Sequence, residues 1–196
     1  MNRKCVLILA TTLAFLFAET ALAETEVLPG KDVPRFSEVA PGVHRGGQPT
    51  REGFEFLKRQ GIRTVINLRD DHDERETVEK LGMKYVRIPL NAWDRVSDEA
   101  IATFFQVVRD PAQQPVFVHC RRGADRTGFV IGLYRIAEQQ WSAEQAYDEA
   151  RELGMRWWYR GLKRQLFEFA AKGAHPPTPT PNSAGPPRLT GADGGP

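Results

Sequence analysis

A cysteine and an arginine lie six positions apart, at the junction between an apolar run and a predicted helix. Cys120 follows residues 116–119, whose apolar character predicts a buried strand, and Arg126 stands at the start of the next helix. Ligands of parallel sheets bind beyond the carboxyl ends of the strands, where a helix N-terminus offers free N–H groups and a positive dipole end. The thiol of Cys120 is therefore predicted to ionise readily, since thiols in such places have pKa values of about 3.5–7.5.

The residues between the strand and the helix have the length and composition to surround a phosphate group. The positions predicted to bind phosphate are Arg121, Arg122, Gly123, Ala124, Asp125 and Arg126. Gly123 allows a turn with positive φ, and the planar guanidinium of Arg126 can clamp two phosphate oxygens. Thr127 is placed to hydrogen-bond the cysteine sulfur, and His119 is expected to organise the loop. Together they predict attack by Cys120 on phosphorus.

Residues 119–127 resemble the motif His-Cys-x5-Arg-(Ser/Thr) of the cysteine-dependent protein tyrosine phosphatase superfamily, without departure. Residues 43–49 and 65–69 also look like segments of compact bacterial and plant or fungal dual-specificity-type phosphatases. The resemblance implies a two-step mechanism through a phosphocysteine, with no metal and no cofactor. A redox role for Cys120 would need a resolving cysteine.

The resemblance also implies an aspartate that protonates the leaving oxygen, on a loop before the cysteine strand. Asp94 is the favoured candidate, because the ring of Trp93 is expected to bury its carboxyl and raise its pKa. Asp98 follows a predicted helix cap and has a ready structural role in the first helical turn. Asp125 is the third candidate; its alternative role is to orient the neighbouring arginine or an amide of the loop.

Three other polar segments carry weaker expectations. Residues 70–73 combine three aspartates with a histidine, which could suggest metal ligands, but a solvated loop is expected. Arg45 is expected to pin the turn that ends at Pro49 rather than to reach the site. In residues 156–160, at least two of the three aromatic rings are expected in the core, and one or both arginines could rim the cleft.

Strand and helix patterns alternate along residues 36–172. Short apolar runs at residues 64–68 and 115–118 predict buried strands. Apolar side chains between residues 101 and 108 recur at i, i+3, i+4 and i+7, and Thr50 is a predicted helix cap. This alternation predicts an α/β fold, a single domain with a central, mostly parallel sheet flanked by helices.

Both ends of the chain differ in composition from a folded domain. Arg3 and Lys4 precede an apolar run shorter than the ~20 residues of a membrane-spanning helix, and residues 21–23 form a small-residue cleavage pattern. These features predict a cleaved signal peptide, export to a periplasm or similar space, and no membrane span afterwards. The predicted division is 1–23 signal peptide, 24–35 N-terminal lead-in, 36–172 phosphatase domain and 173–196 disordered Pro/Gly-rich tail.

Charge and cysteine content limit the partners. The formal net charge of +2 over 196 residues lacks the basic excess typical of nucleic-acid binding. Removal of residues 1–23 would leave Cys120 as the single cysteine and exclude an internal disulfide. A monomer is expected. The expected substrate is a phosphoprotein or, alternatively, an inositol phosphate or phosphoinositide, since Arg121 and Arg122 add positive charge that suits both. A catalytically inactive phosphate-binding module is the remaining alternative.

Overall fold

The computed structural model describes residues 29–178, whose strands form one five-stranded sheet. The strands are β1 (Ser37–Ala40), β2 (Val43–Gly47), β3 (Thr64–Arg69), β4 (Lys84–Leu90) and β5 (Val116–Cys120). Their order in the sheet is β1-β2-β5-β3-β4. Only the β1–β2 pair is antiparallel; the other three pairs are parallel. The predicted α/β domain with a mostly parallel sheet is confirmed.

Seven helices connect and cover these strands within the described residues. They are α1 (Pro29–Asp32), α2 (Arg51–Arg59), α3 (Arg75–Lys80), α4 (Asp98–Arg109), α5 (Asp125–Gln139), α6 (Ala143–Glu152) and α7 (Arg160–Ala171). The predicted cap at Thr50 is confirmed, because its hydroxyl accepts a hydrogen bond from Gly53 N at 3.1 Å. No helix within residues 29–178 is long and apolar enough to cross a bilayer.

Alternating side chains of the central strands build a core on each face of the sheet. Ile66 and Val118 belong to the core that α4, α5, α6 and α7 cover. Val65 and Phe117 belong to the opposite core, under α2 and α3. All five residues of β5 are buried. The last residue of β5, Cys120, is thereby held at the carboxyl edge of the sheet between β2 and β3.

Residues 29–35, predicted as part of the N-terminal lead-in, are folded against the domain. Val33 is fully buried in the core under α2. The carbonyls of Asp32 and Pro34 accept hydrogen bonds from Thr50 N at 2.9 Å and from Gly47 N at 2.6 Å. Residues 29–35 therefore belong to the folded domain, because they fill its core and satisfy its backbone. The predicted signal peptide and residues 179–196 of the predicted tail lie outside the described residues.

Candidate active site

The loop from Cys120 to α5 is shaped by close backbone approach. Gly123 has a φ of +69°, and a Cβ there would lie 2.4 Å from Gly47 N, so only glycine fits. At Gly128, a Cβ would lie 3.2 Å from the Cβ of Ala150, which shows how closely α5 packs against α6. The positive φ predicted at Gly123 is confirmed. The cap residue of α5, Ala124, offers its free N–H groups no side-chain acceptor, so they remain available to an anion.

The loop carbonyls are held on the side that faces β2. Three hydrogen bonds do this: Gln48 N to Arg121 O at 3.3 Å, Arg35 Nη1 to Arg122 O at 3.0 Å, and Arg45 Nη2 to Gly123 O at 2.8 Å. In a trans peptide the following N–H points away from the carbonyl. The amides that follow these three carbonyls therefore point away from β2, towards the predicted phosphate position.

Arg45 supports the phosphate loop directly, and the expectation that it pins the turn ending at Pro49 is wrong. Its guanidinium is fully buried beneath the loop, and burial lowers its pKa to about 10. Arg45 lies in the middle of β2, which runs parallel to β5, and its side chain therefore reaches Gly123 instead of the turn that follows β2.

Cys120 lies at the base of the loop and is 2% exposed. Burial by itself raises the pKa of its thiol. Hydrogen bonding by the Thr127 hydroxyl, by the amides of Thr127 and Arg122, and the charge of Arg126 outweigh burial and lower that pKa. The buried Thr127 Oγ1 forms no aligned hydrogen bond within residues 29–178, the Cys120 thiol included, so its hydroxyl is free to turn towards a thiolate.

A cavity of about 260 Å³ opens above the sulfur. Its walls are Asp71, Ala92, Cys120, Arg121, Arg122, Asp125, Arg126, Arg156 and Tyr159. Five of the predicted site residues therefore meet here. Gly123, Ala124 and Thr127 are buried beside them in the loop and the first turn of α5. The side chains of Arg121 and Arg122 are exposed at the mouth. The cavity can hold a phosphate group and part of the group that carries it.

Arg126 is anchored by Asp70, in the exposed loop that follows β3. Its Nη1 donates to Asp70 Oδ1 at 2.8 Å and to Leu90 O at 3.1 Å. The neighbouring Asp71 accepts two hydrogen bonds from Arg69, at 2.9 and 3.0 Å, which lower its pKa to about 2. A carboxyl this acidic is a poor proton donor at neutral pH.

His119 directly precedes Cys120 in β5, and its ring lies beside Glu74, the cap residue of α3. Its Nε2 lies 2.8 Å from Glu74 Oε1, although the approach is not aligned as a regular hydrogen bond. Glu74 Oε2 accepts from Asn67 Nδ2 at 2.9 Å, and all three side chains are buried. Neither ring nitrogen of His119 forms an aligned hydrogen bond within residues 29–178, so its organising role in the phosphate loop stays a prediction.

Residues 70–73 are all exposed, as expected for a solvated loop, although Asp70 of this run also pairs with Arg126. The run follows β3, which is the parallel neighbour of β5, so both strands end at the same edge of the sheet. Strand adjacency is the signal that could have identified Asp70 and Glu74. Within residues 29–178, no group of three His, Cys, Asp or Glu side chains could hold a metal ion.

Asp94, the favoured proton donor, lies outside the cavity. It is exposed on the segment between β4 and α4, whereas Ala92 of the same segment lines the cavity. The ring of Trp93 packs on Tyr159 at 4.7 Å and is 68% exposed, so the expectation that it buries the Asp94 carboxyl is wrong. Asp98 is the first residue of α4 and lines a separate groove beside α7. The proton-donor role of Asp94 stays a prediction.

Asp125 is committed to an ion pair with Arg156. The buried carboxylate accepts hydrogen bonds from Arg156 Nε at 3.1 Å and Nη2 at 2.9 Å, and a third, at 2.8 Å, from the Arg156 backbone N–H. This geometry ties the segment before α7 to the phosphate loop. Of the three candidate acids, Asp125 is the one whose charge is already satisfied.

The aromatic segment before α7 differs from the sequence expectation. Only Tyr159 is buried; Trp157 and Trp158 are 63% and 42% exposed. Because α7 begins at Arg160, the two tryptophans lie in a loop and have no helical face to bury. The expectation of two core rings is therefore wrong, while Arg156 does line the cavity.

Comparison with known proteins places this site in a family. The sequence profile of the family described as "DSP-PTPase phosphatase fused to NAD+ Kinase" matches residues 30–157. A protein named OCA1 from Mycosarcoma maydis is 30% identical over 146 residues, which cover 69% of this chain and 90% of OCA1. The dual specificity protein phosphatase TpbA of Pseudomonas aeruginosa is 30% identical over 117 residues, covering 59% of this chain and 53% of TpbA.

A third relative and two solved structures extend the comparison. The inositol diphosphatase SIW14 of Saccharomyces cerevisiae is 29% identical over 152 residues, covering 74% of this chain and 52% of SIW14. The crystal structure of TpbA matches with a TM-score of 0.62 at 24% identity, covering 71% of this chain and 87% of that one. The SIW14 catalytic domain matches with a TM-score of 0.58 at 24% identity, covering 73% and 95%. The chain spans about half the length of TpbA and SIW14, and the structural matches show a shared fold.

Proposed function

The chain belongs to the cysteine-dependent protein tyrosine phosphatase superfamily, as a dual-specificity-type enzyme, and we propose that it dephosphorylates proteins through a phosphocysteine at Cys120. One observation carries this mechanism: the acidified Cys120 thiol lies at the base of a cavity that Arg126 also lines. A phosphate dianion in that cavity would meet loop amides, the N-terminus of α5 and the guanidinium together.

In the proposed first step, the Cys120 thiolate attacks phosphorus. The S–P bond forms while the P–O bond to the leaving group breaks. Charge on the equatorial oxygens is stabilised by the loop amides and Arg126. The leaving oxygen receives a proton from Asp94, which requires the segment between β4 and α4 to bring this exposed carboxyl to the cavity.

In the proposed second step, water attacks the phosphocysteine. The S–P bond breaks, inorganic phosphate forms, and the proton released by water returns to Asp94. The Thr127 hydroxyl stabilises the departing thiolate by hydrogen bonding. Asp125 takes no proton in either step, because it holds Arg156 throughout.

Two substrate classes are proposed, in order of preference. A phosphoprotein is preferred, and the similarity to TpbA, a dual specificity protein phosphatase, supports it. An inositol phosphate or phosphoinositide is the alternative, because Arg121 and Arg122 are exposed at the mouth and could bind further phosphates. The similarity to SIW14, an inositol diphosphatase, supports the alternative.

A purified-protein screen tests the function. We expect hydrolysis of p-nitrophenyl phosphate and of at least one phosphopeptide, with Cys120→Ser as the blank. Phosphate or vanadate binding without turnover by the wild-type protein would instead indicate an inactive binding module. Turnover of inositol phosphates in the absence of phosphopeptide turnover would select the alternative substrate class.

We also propose that residues 1–23 direct export and are removed. The positive n-region, the apolar run and the small-residue site support this proposal. N-terminal sequencing of protein recovered from the envelope fraction of an expressing bacterium should begin near Glu24. Recovery of the chain with Met1 in the cytoplasmic fraction would contradict export. Sedimentation should give the mass of a monomer.

A further inference from the structure

Three tryptophans are exposed in the two segments that supply Ala92, Arg156 and Tyr159 to the cavity wall. Trp93, Trp157 and Trp158 are 68%, 63% and 42% exposed, and they flank Tyr159, which lines the cavity. We call these four side chains the aromatic rim. Exposed aromatic side chains in a contiguous group mark binding surfaces, because large rings in water gain stability when a partner covers them.

The aromatic rim is fixed to the phosphate loop by a chain of contacts. Asp125, in the first turn of α5, pairs with Arg156 at 2.9 Å, and Arg156 Nη2 donates to Tyr159 Oη at 2.6 Å. The ring of Trp93 then packs edge-on against Tyr159, with centroids 4.7 Å apart. The position of the rim relative to Cys120 is therefore set by a buried carboxylate.

The two tryptophans before α7 extend the rim outwards. Arg156 lies over the ring of Trp158 at 5.3 Å, and Trp157 packs edge-on against Trp158 at 5.8 Å. Trp157 makes no other ring contact within the described residues. The indole of Trp157 packs against Trp158, but most of its surface is exposed to solvent.

Two kinds of group thus border the cavity. Arg121 and Arg122 at the mouth, with Arg156 in the wall, supply positive charge, which suits phosphates or acidic side chains. The aromatic rim supplies flat apolar surfaces, which suit apolar or aromatic side chains and peptide backbone. A polyphosphorylated inositol would engage the arginines and leave the tryptophans uncovered, whereas a peptide can cover both kinds of surface.

We propose that the aromatic rim is the docking surface for the peptide segment next to the phosphorylated residue of a protein substrate. The occupant is an extended peptide with an apolar or aromatic residue that covers the rim and acidic residues that face the arginines. This inference rests on the proposed function and specifies its substrate class.

Trp157→Ala is the direct test, because it removes exposed surface without touching the cavity. The substrates are p-nitrophenyl phosphate, a phosphotyrosine peptide with a neighbouring leucine, the same peptide with glycine in that place, and inositol hexakisphosphate. For the leucine peptide we expect kcat/KM to fall roughly tenfold, mainly through KM, as at a contact hot spot. The loss on p-nitrophenyl phosphate and on the inositol phosphate should be several-fold smaller.

Trp141→Ala is the matched control. Trp141 lies beyond the far end of α5, about 22 Å along the helix axis from the phosphate loop, and its ring stacks on Arg135 at 4.6 Å. The kcat/KM of Trp141→Ala for each of the four substrates should equal that of the wild type. Thermal unfolding of both variants verifies that each is folded.

Five outcomes bear on the proposal. A selective loss on the leucine peptide in Trp157→Ala supports it. An equal loss on every substrate, or no loss on the leucine peptide, overturns it. Binding of the wild type to anionic phospholipid vesicles that Trp157→Ala abolishes, with peptide turnover intact, also overturns it and assigns the rim to a membrane surface. Absence of any turnover by the wild type would refute the proposed function itself.

Discussion

Asp70 accepts a hydrogen bond from Nη1 of Arg126 at 2.8 Å, although 56 positions separate the two residues. The same nitrogen donates to Leu90 O at 3.1 Å. Within residues 29–178, Nε and Nη2 of Arg126 make no hydrogen bond. The guanidinium is therefore fixed at one corner, while the edge that can match two phosphate oxygens stays open.

Asp70→Asn should slow catalysis without abolishing it. Asparagine keeps an acceptor oxygen but loses the charge that fixes the guanidinium, so Arg126 will be less well oriented. We expect kcat/KM for p-nitrophenyl phosphate to fall between about 10- and 100-fold, as for small misplacements of catalytic groups.

Asp73→Asn is the control from the same loop. Its carboxylate accepts from Arg75 N and lies near Arg87, and it does not contact Arg126. Activity of this variant should stay within about twofold of wild type, the range of an ordinary surface change. Faster turnover or tighter vanadate binding by Asp70→Asn would mean that Asp70 competes with phosphate instead of positioning Arg126.

Thr127→Ala should raise the pKa of Cys120. A hydrogen bond from the Thr127 hydroxyl to the thiolate lowers the pKa of Cys120, and with it the pH at which the thiol loses its proton. The rate of alkylation by iodoacetamide should show a midpoint below about 8.5 in the wild type and a higher midpoint in Thr127→Ala. Thr103→Ala, whose hydroxyl bonds Glu99 O on α4, is the control. Equal midpoints in all three proteins would contradict this account of thiol activation.

Glu74→Ala should destabilise the fold. The change removes the carboxylate beside His119 and one of the acceptors of Asn67, both of which are buried. We expect the free energy of unfolding in urea to fall by about 2–3 kcal/mol. Glu79→Ala loses only an exposed pair with Arg75, and should change stability by less than about 1 kcal/mol. Similar losses of unfolding free energy in the two variants would show that the buried contacts of Glu74 stabilise the fold no more than an exposed ion pair does.

Asp94→Asn tests the proposed proton donor. Loss of the acid should slow turnover most for esters with poor leaving groups, since these need a proton as the P–O bond breaks. A phosphopeptide should therefore lose about 10²-fold or more in kcat, while p-nitrophenyl phosphate, with its good leaving group, should lose much less. Asp98→Asn is the control, because Asp98 faces the groove beside α7. A selective loss in Asp98→Asn alone would reverse the assignment.

Sequence alone predicted the parts of the site that are contiguous. One strand–loop–helix unit contains Cys120, Arg126 and the loop between them, so the spacing of these residues in the sequence determines how they are arranged in space. The alternation of strands and helices likewise predicted the sheet. Strand β1 was not predicted, because only one of its four residues is buried and its sequence therefore has no alternating apolar pattern.

The contacts that sequence missed join distant segments. Asp70 meets Arg126, and Asp125 meets Arg156, through the packing of loops that follow different strands and helices. Neither pairing leaves a local spacing signal. The exposure of Trp157 was also unpredictable from composition, because it depends on where α7 begins. These contacts follow from tertiary packing, which sets which loops share one edge of the sheet.

The most direct measurement is a search for the covalent intermediate at Cys120. Wild-type protein is mixed with excess p-nitrophenyl phosphate, quenched in acid within one turnover, digested and analysed by mass spectrometry. The account predicts one phosphoryl group on the sulfur of the peptide that contains Cys120, and none in Cys120→Ser. Turnover that persists in Cys120→Ser, with no phosphoryl group found on Cys120 of the wild type, would contradict it.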